Sequence, residues 1–194
     1  MDWATRARDA YRAIYRAYEE SRRRPLPTAD LADLGRRSLD LGSGRGAQPA
    51  YFDWEYPYTI HCDLAPELVP RGSEAVLCEA TALPFRDGAF DVVHAVAVYH
   101  HIPPEGLRKA LDEGLRVGRR LVATVWILPR GRGSGAPLQI PWRWKAEAVR
   151  IYYDYSLKDL IDVVVSAGGE VLSAGYMRRG RHLNAYVLAK RINK

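Results

Sequence analysis

The sequence predicts a single α/β domain built on a doubly wound, mostly parallel sheet with helices on both faces. Short apolar runs alternate with amphipathic stretches along the chain, the pattern of successive βα units. Phe90-Asp91-Val92-Val93-His94-Ala95-Val96-Ala97-Val98 is nearly continuously apolar, as a central parallel strand covered on both faces should be. Ser38-Leu39-Asp40-Leu41 runs straight into Gly42-Ser43-Gly44-Arg45-Gly46, a glycine-rich strand-to-helix turn. At 194 residues the chain can enclose one sizeable core. Residues 1–36 read as a helical extension and 129–155 as an insertion on the ligand side, within one domain spanning 1–194 and without internal repeats.

The elements follow in order. Trp3, Ala7, Ala10, Ile14, Ala17 and Tyr18 recur at three-four spacing, which predicts an amphipathic helix over 2–20. Ser21-Arg22-Arg23-Arg24-Pro25-Leu26-Pro27 ends it, since proline cannot continue a helix and restricts the residue before it. Thr28 is placed to cap a short helix to about Leu34. A short aromatic helix with Pro49 in its first turn follows the glycines. Tyr58 to Cys62 forms the second strand, ended by Asp63, and Ala75 to Cys78 the third, followed by Glu79 and Ala80. Arg86-Asp87-Gly88 is a turn ahead of the long apolar strand, in which His94 reads as a core histidine. Tyr99-His100-His101 stands where that strand ends, on the ligand-facing edge. Pro103 and Pro104 open a helix carrying Leu107, Ala110, Leu111 and Leu115, closed by Gly118; Leu121 to Leu128 is the fifth strand. Residues 129–141 read as a long loop. Ser156-x-x-Asp159 opens the last helix in capping-box style, Gly168-Gly169 ends it, and strands near 170–176 and 184–190 close the chain.

Composition narrows the class. No apolar run of about 18 residues occurs, so no transmembrane helix or membrane partner is expected. The arginine-rich start lacks an apolar signal core, which points to the cytoplasm. Cys62 and Cys78 lie in apolar strands and are expected as buried, reduced thiols; neither has a partner at metal-ligand spacing, and no metal site is expected. Net charge is +6, and 24 of the 29 basic residues are arginine, whose planar fork suits phosphate. That balance fits a polyanionic partner, and fits equally a simple preference for arginine. Trp142-Arg143-Trp144 and Arg150-Ile151-Tyr152-Tyr153 interleave basic and aromatic groups, as surfaces that stack bases and bind phosphates do, and as core aromatics also can.

The glycine turn carries the chemistry. Gly42-x-Gly44-x-x-Ala47 formally matches a dinucleotide fingerprint. Asp40, two residues upstream, would repel a pyrophosphate and suits a ligand presenting ammonium and sulfonium groups, which describes S-adenosylmethionine (SAM). Asp63, about twenty residues on, is placed to bond a ribose diol in either ligand. Glu79 is a candidate adenine contact and otherwise a surface carboxylate.

With glycine loop, Asp63, Glu79 and the Phe90-Asp91-Val92-Val93 strand in this order, the chain resembles a class I SAM-dependent methyltransferase. The resemblance implies a Rossmann-like seven-stranded sheet of order 3-2-1-4-5-7-6, its last strand antiparallel. It also implies a cofactor site of Asp40, Gly42, Ser43, Gly44, Gly46, Asp63, Leu64, Glu79, Ala80, Ala95 and Val96. Within that superfamily the chain is most similar to the tRNA wobble-uridine methyltransferases that esterify a 5-carboxymethyl group. Ser21-Arg22-Arg23-Arg24-Pro25-Leu26-Pro27 resembles T-R-Y-K-P-W-P, and Ala97-Val98-Tyr99-His100-His101 resembles A-V-x-H-H. Ile140-Pro141-Trp142 with Arg150-Ile151-Tyr152-Tyr153 resembles V-P-W followed by R-Y-Y, and Asn184 to Lys190 resembles N-W-x-V-V-A-x-K. Ser43, Arg45 and Ala47 depart from the family's G-C-G-N-G-K loop, Asp154 from a histidine, and Ala185 from an aromatic.

A carboxylate nucleophile is ionised at neutral pH, so such a reaction needs positioning more than a general base. Arg22 is the expected clamp on the acceptor carboxylate or a neighbouring phosphate, with His100 and His101 lining the acceptor side. Arg24, Trp142, Arg150, Tyr152, Tyr153 and Asn184 are the expected substrate contacts. The resemblance implies tRNA and a small zinc-binding activator subunit as partners. A small-molecule methyltransferase of quinone or metabolite type, a non-catalytic SAM- or RNA-binding module and an NAD-linked enzyme are the competing readings.

Overall fold

The computed structural model describes residues 2–32, 35–128, 133, 135–180 and 182–192. Its helices are α1 (Trp3–Ser21), α2 (Ala47–Glu55), α3 (Pro104–Val117) and α4 (Leu157–Ser166). Its strands are β1 (Arg37–Leu41), β2 (Tyr58–Asp63), β3 (Ala75–Leu77), β4 (Phe90–Val96), β5 (Gly118–Ile127), β6 (Ala136–Trp142), β7 (Ala148–Asp154), β8 (Gly169–Arg179) and β9 (His182–Arg191).

Seven strands form one sheet in the order β3-β2-β1-β4-β5-β9-β8. The first five are mutually parallel, while β9 runs antiparallel to both β5 and β8. This is the expected doubly wound order with a reversed last strand. The apolar run of β4 has a direct cause: Val93 and Ala95 face the larger core with α3 and α4, whereas Val92 faces a smaller one with Phe52 and Tyr56 of the α2 segment. Both faces are covered, so alternation disappears. His94, on the Val92 face, stacks on Phe52 and shares a 2.8 Å hydrogen bond with the Tyr56 hydroxyl. Burial pushes its pKa down to about 3, and it is the neutral core histidine expected.

Several segments differ from expectation for identifiable reasons. Thr28 caps nothing with its side chain, because its backbone is already helical (φ −80°, ψ −16°); only a 3-10 turn, Ala29–Leu31, follows, and Leu34 lies outside the described residues. Of the expected loop 129–141, residues 129–132 and 134 lie outside the described set, while Ala136–Trp142 is a strand. It pairs with β7 in a separate two-stranded ribbon, whose free edge tolerates Pro137 and Pro141. The closing strands are longer than predicted and form a hairpin; Arg181 at its tip is outside the described residues. Cys62 and Cys78, expected as buried thiols, lie side by side with Cα atoms 5.7 Å apart, because β2 and β3 are parallel neighbours that bring the two positions together. No described helix is long and apolar enough to cross a membrane.

Asp91 anchors the start of β1. Its Oδ2 accepts the backbone N–H groups of Arg36 (2.8 Å) and Arg37 (3.0 Å). A Cβ at Gly35 would lie 2.1 Å from that of Asp91, so glycine is required for the approach. Burial opposes the charged form, yet the two N–H bonds and Arg37 outweigh it and lower the Asp91 pKa. A depressed carboxylate stabilises the fold above its unfolded pKa, and that contribution is lost as pH falls through the folded value, so the window lies below about pH 4. Asp91→Asn should cost about 1–2 kcal/mol at pH 7 in urea unfolding and show less acid sensitivity below pH 4 than the parent. Equal urea midpoints at pH 7 would refute the anchor.

Candidate active site

Two adjoining cavities open at the C-terminal edge of β1, β4 and β5. One, largely apolar, is lined by Leu41, Asp63, Leu64, Glu79, Ala80, Val98 and Ile102. The other, of about 480 Å³, is lined by Arg22, Arg24, Asp40, Ser43, His100, Trp142, Arg150, Tyr152, Arg179 and Asn184 among others. Tyr11, Tyr18, Gly42, Val96 and Ala97 border both, so the cavities meet beneath α1, beside the first glycine.

The glycine turn is made by backbone geometry. Gly42, Gly44 and Gly46 have φ of 66°, 57° and 115°, in the left-handed region. A Cβ on Gly42 would sit 2.4 Å from Val98 Cγ2, and one on Gly46 would sit 2.6 Å from the Arg22 carbonyl oxygen. Asp63 holds the turn from the end of β2: its Oδ2 accepts the Gly44 N–H (2.9 Å) and its Oδ1 the Ala65 N–H (2.9 Å). Burial raises its pKa to about 6, leaving it ionised at pH 7 with a further acceptor site on each oxygen. Glu79 bonds the Thr81 hydroxyl and borders the same cavity.

These residues fit SAM. Asp40 and Asp63, buried beside the glycines, and Glu79, partly buried, are acceptor-only groups suited to an ammonium, a ribose diol and an exocyclic amine, and unsuited to pyrophosphate. Ser43 Oγ, buried with no partner among the described residues, adds a free polar atom beside the turn. Gly46 and Ala95 contribute differently from expectation. Gly46 packs against Arg22 outside both cavities, and Ala95 points into the core, leaving Val96 and Ala97 on the cavity wall. Ala97 is one of two described non-glycine residues with positive φ (60°), held there as its N–H donates to Thr124 Oγ1 (2.9 Å).

The basic cavity is built from α1, its C-terminal linker and the β6–β7 ribbon. Arg22 ends α1 with its guanidinium 4.6 Å from the Tyr18 ring centroid, and Arg150 of β7 lies 5.1 Å from both the Trp142 and Tyr152 rings. Each has a buried Nε without a partner. Among the described residues no carboxylate pairs with Arg22, Arg24, Arg150 or Arg179. Burial and the neighbouring Arg22 lower the pKa of Arg179, the sign of crowded cations. Tyr152 sits in a hydrogen-bonded chain: Arg150 Nη1 donates to its hydroxyl (2.7 Å), and the Tyr11 hydroxyl links that hydroxyl (3.3 Å) to His101 Nε2 (3.0 Å).

The two histidines separate. His100 lines the basic cavity, its Nδ1 accepting the Trp126 N–H at 3.4 Å. His101 lies behind it, bonded to Tyr11 and bordering the other cavity. Burial, then His101, Arg150 and Arg22, push the His100 pKa far down; burial and Arg150 take His101 to about 3. Both are neutral. Tyr153, expected among substrate contacts, faces the core, because neighbours on a strand point to opposite faces and Tyr152 takes the cleft side. Asp154 accepts the Gly133 N–H (2.9 Å), closing the loop before the ribbon. Tyr11, Tyr18, Trp126, Arg179 and His182 join the site unannounced by any motif; only the helical stripe containing Tyr18 hinted at them.

The strand order and the glycine turn resemble those of the class I SAM-dependent methyltransferases, and SAM is the cofactor that the acidic edge suits. Residues 39–121 match the family model described as "Methyltransferase domain". The tRNA (carboxymethyluridine(34)-5-O)-methyltransferase of Schizosaccharomyces pombe is 26% identical over 209 residues, covering 87% of this chain and 90% of that protein. Its namesake in Xenopus tropicalis is 36% identical over 124 residues, 57% of this chain and 19% of that protein. The chain spans about a fifth of the length of the first curated relatives it matches. Among solved structures, Burkholderia thailandensis 1,6-didemethyltoxoflavin-N1-methyltransferase, with 1,6-didemethyltoxoflavin and S-adenosylhomocysteine bound, superposes with TM-score 0.71 at 19% identity (98% and 89% of the two chains). A putative methyltransferase in complex with the Haloferax volcanii Trm112 methyltransferase activator does so with TM-score 0.68 at 14% identity (97% and 99%). These two show the fold alone.

Gly42→Ala should retain its circular dichroism spectrum but lose at least about tenfold in S-adenosylhomocysteine affinity by calorimetry, since Gly42 lines both cavities at φ 66° and its Cβ would meet Val98 on the cavity wall. Undiminished affinity would remove the glycine turn from the cofactor site.

Proposed function

We propose that the chain methylates the carboxylate of a 5-carboxymethyl uridine at the wobble position of tRNA, in the cytoplasm. One observation carries this reading. The guanidinium groups of Arg22 and Arg150, each with an unpartnered buried Nε, line a cation-rich cleft that meets the cofactor cavity at Gly42 and Ala97. Such a cleft asks for an anion with more than one charge, as a nucleotide bearing both a carboxylate and a phosphate has. Trp142 and Tyr152 beside them offer ring faces for a base. The likeness to wobble-uridine methyltransferases supports the same acceptor.

SAM, when bound, supplies a methyl group on a positively charged sulfur. The chain's part is then to bring an ionised carboxylate oxygen into line and keep water out. Arg22 clamps the carboxylate, and Arg150, rigidified between Trp142 and Tyr152, fixes its second oxygen or the flanking phosphate. Neutral His100, accepting at Nδ1, presents Nε2–H to the cleft as a hydrogen-bond donor. No proton is removed from the nucleophile. The titration of His100 and His101 therefore leaves the rate flat through pH 6–7. The activator-bound neighbour suggests a small subunit for this chain too, docked along the free edge of β3 where Leu77 is exposed.

Arg22→Ala should lower methylation of unfractionated tRNA more than about 100-fold while S-adenosylhomocysteine affinity stays within about threefold. The methylated nucleoside, identified by mass, should be the wobble ester; label appearing in a small molecule with tRNA untouched would favour a metabolite methyltransferase. Binding of tRNA should weaken by one to two orders of magnitude between about 50 and 200 mM salt, as about four phosphate-type contacts require. Salt-insensitive binding would dismiss the arginine cleft as the tRNA surface.

A further inference from the structure

Behind the cofactor cavity lies a buried relay that the reaction does not use. Asp40 and His61 are register partners on the parallel strands β1 and β2, so their side chains lie side by side on one face of the sheet. His61 Nδ1 is 3.0 Å from Asp40 Oδ2, and its Nε2 is 3.0 Å from Asp53 Oδ1 on α2. The ring is fully buried, Asp40 is 1% exposed, and the Asp53 side chain is 42% exposed. The Asp53 carboxylate is itself held by the Ser73 hydroxyl (3.1 Å), just before β3, and the backbone N–H of His61 donates to the Glu74 carbonyl. The relay thus runs from the cleft wall to solvent.

Its geometry dictates a proton count. A neutral imidazole donates from one nitrogen only, yet both nitrogens here face carboxylates. Either the ring is an imidazolium donating to both, or one acid carries the proton. Burial works against a charged ring, but hydrogen bonds and charge from Asp40, then Asp53, outweigh it and raise the His61 pKa. Those are the charged groups facing it, Asp40 from β1 and Asp53 from α2. Asp40 spends Oδ2 on His61, while Oδ1 has no partner among the described residues, and the residue borders the cleft at Gly42 and Ser43.

We propose that His61 is a proton-carrying positioning residue for cofactor binding. Shared as an imidazolium between Asp40 and Asp53, it holds Asp40 with Oδ1 toward the site, and releases its proton to solvent past Asp53 when the cofactor's ammonium settles against Asp40. This rests on reading the glycine turn as a SAM site. The sign follows from charge: a second cation beside Asp40 disfavours the protonated ring, so binding expels a proton and affinity rises with pH until His61 is already neutral in the free protein. A histidine serving only to fill the space between two acids would exchange no proton on ligand binding.

Calorimetric titration with S-adenosylhomocysteine, in phosphate and in Tris from pH 6 to 8.5, tests this. The apparent enthalpy should differ between buffers by the ionisation heat of close to one proton, and affinity should rise by up to about tenfold per pH unit across that window. His61→Gln should abolish the buffer dependence and flatten the affinity profile. Asp53→Asn, a change on a half-exposed side chain, should move the window to lower pH by removing one of the ring's two anions; it decides the matter if the glutamine variant does not fold. Equal enthalpies in the two buffers with tight binding, or a proton release untouched in the folded variants, would overturn the role of His61 and leave the cofactor site standing. No binding by the parent protein at any pH would overturn the cofactor reading, and this proposal with it.

Discussion

A single backbone contact ties the two halves of the site together. The Ala47 N–H, at the first turn of α2, donates to the carbonyl of Arg22 (2.9 Å), the residue that ends α1. Gly46 is bare so that this carbonyl can approach, and Gln48 repeats the tie two residues on by pairing with both backbone groups of Leu26 (2.8 and 3.2 Å). An exposed helix N-terminus would otherwise leave those amides to water. Here the Arg22 carbonyl satisfies the Ala47 amide, and the contact fixes Arg22 beside the glycine turn. Arg22 of the basic cleft and the glycine turn are therefore one piece of structure, and α1 is the roof they share.

That coupling explains what could be read from the residues and what could not. The parallel sheet was legible because β4 must be apolar on both faces and because glycines at 42, 44 and 46 have no other economical use at a strand end. Capping was half legible. Ser156 with Asp159 forms the reciprocal box its spacing requires, whereas Thr28 lacks the extended backbone that capping needs. The ribbon of β6 was hidden by its own prolines, which look like loop residues until one sees that a two-stranded ribbon has a free edge to receive them. Motifs singled out Arg22, Arg150 and the histidines, which line the two cavities, but not how these side chains are arranged. Alternation along β7 sends Arg150 and Tyr152 to the cleft and Tyr153 to the core, and that phase is set by packing against α1, which no local pattern reveals. The relay of Asp40, His61 and Asp53 joins three elements, so sequence spacing carries no trace of it.

The electrostatic layout has a common logic. Acids cluster where a cation is to be received: Asp40, Asp63 and Glu79 surround the turn and the apolar cavity. Cations cluster in the second cavity, and the histidines between the two stay neutral through burial and nearby guanidinium charge. Each like-charged group is costly without its ligand, and burial magnifies the cost because the interior screens poorly. The aromatic rings of Tyr18, Trp142 and Tyr152 make the cationic half tolerable, since their faces attract guanidinium groups without neutralising them. Carboxylates in the same positions would satisfy the arginines better and would leave nothing for an incoming anion. The site keeps its charges partnered by rings instead, and this arrangement stays receptive only because the partners carry no charge of their own.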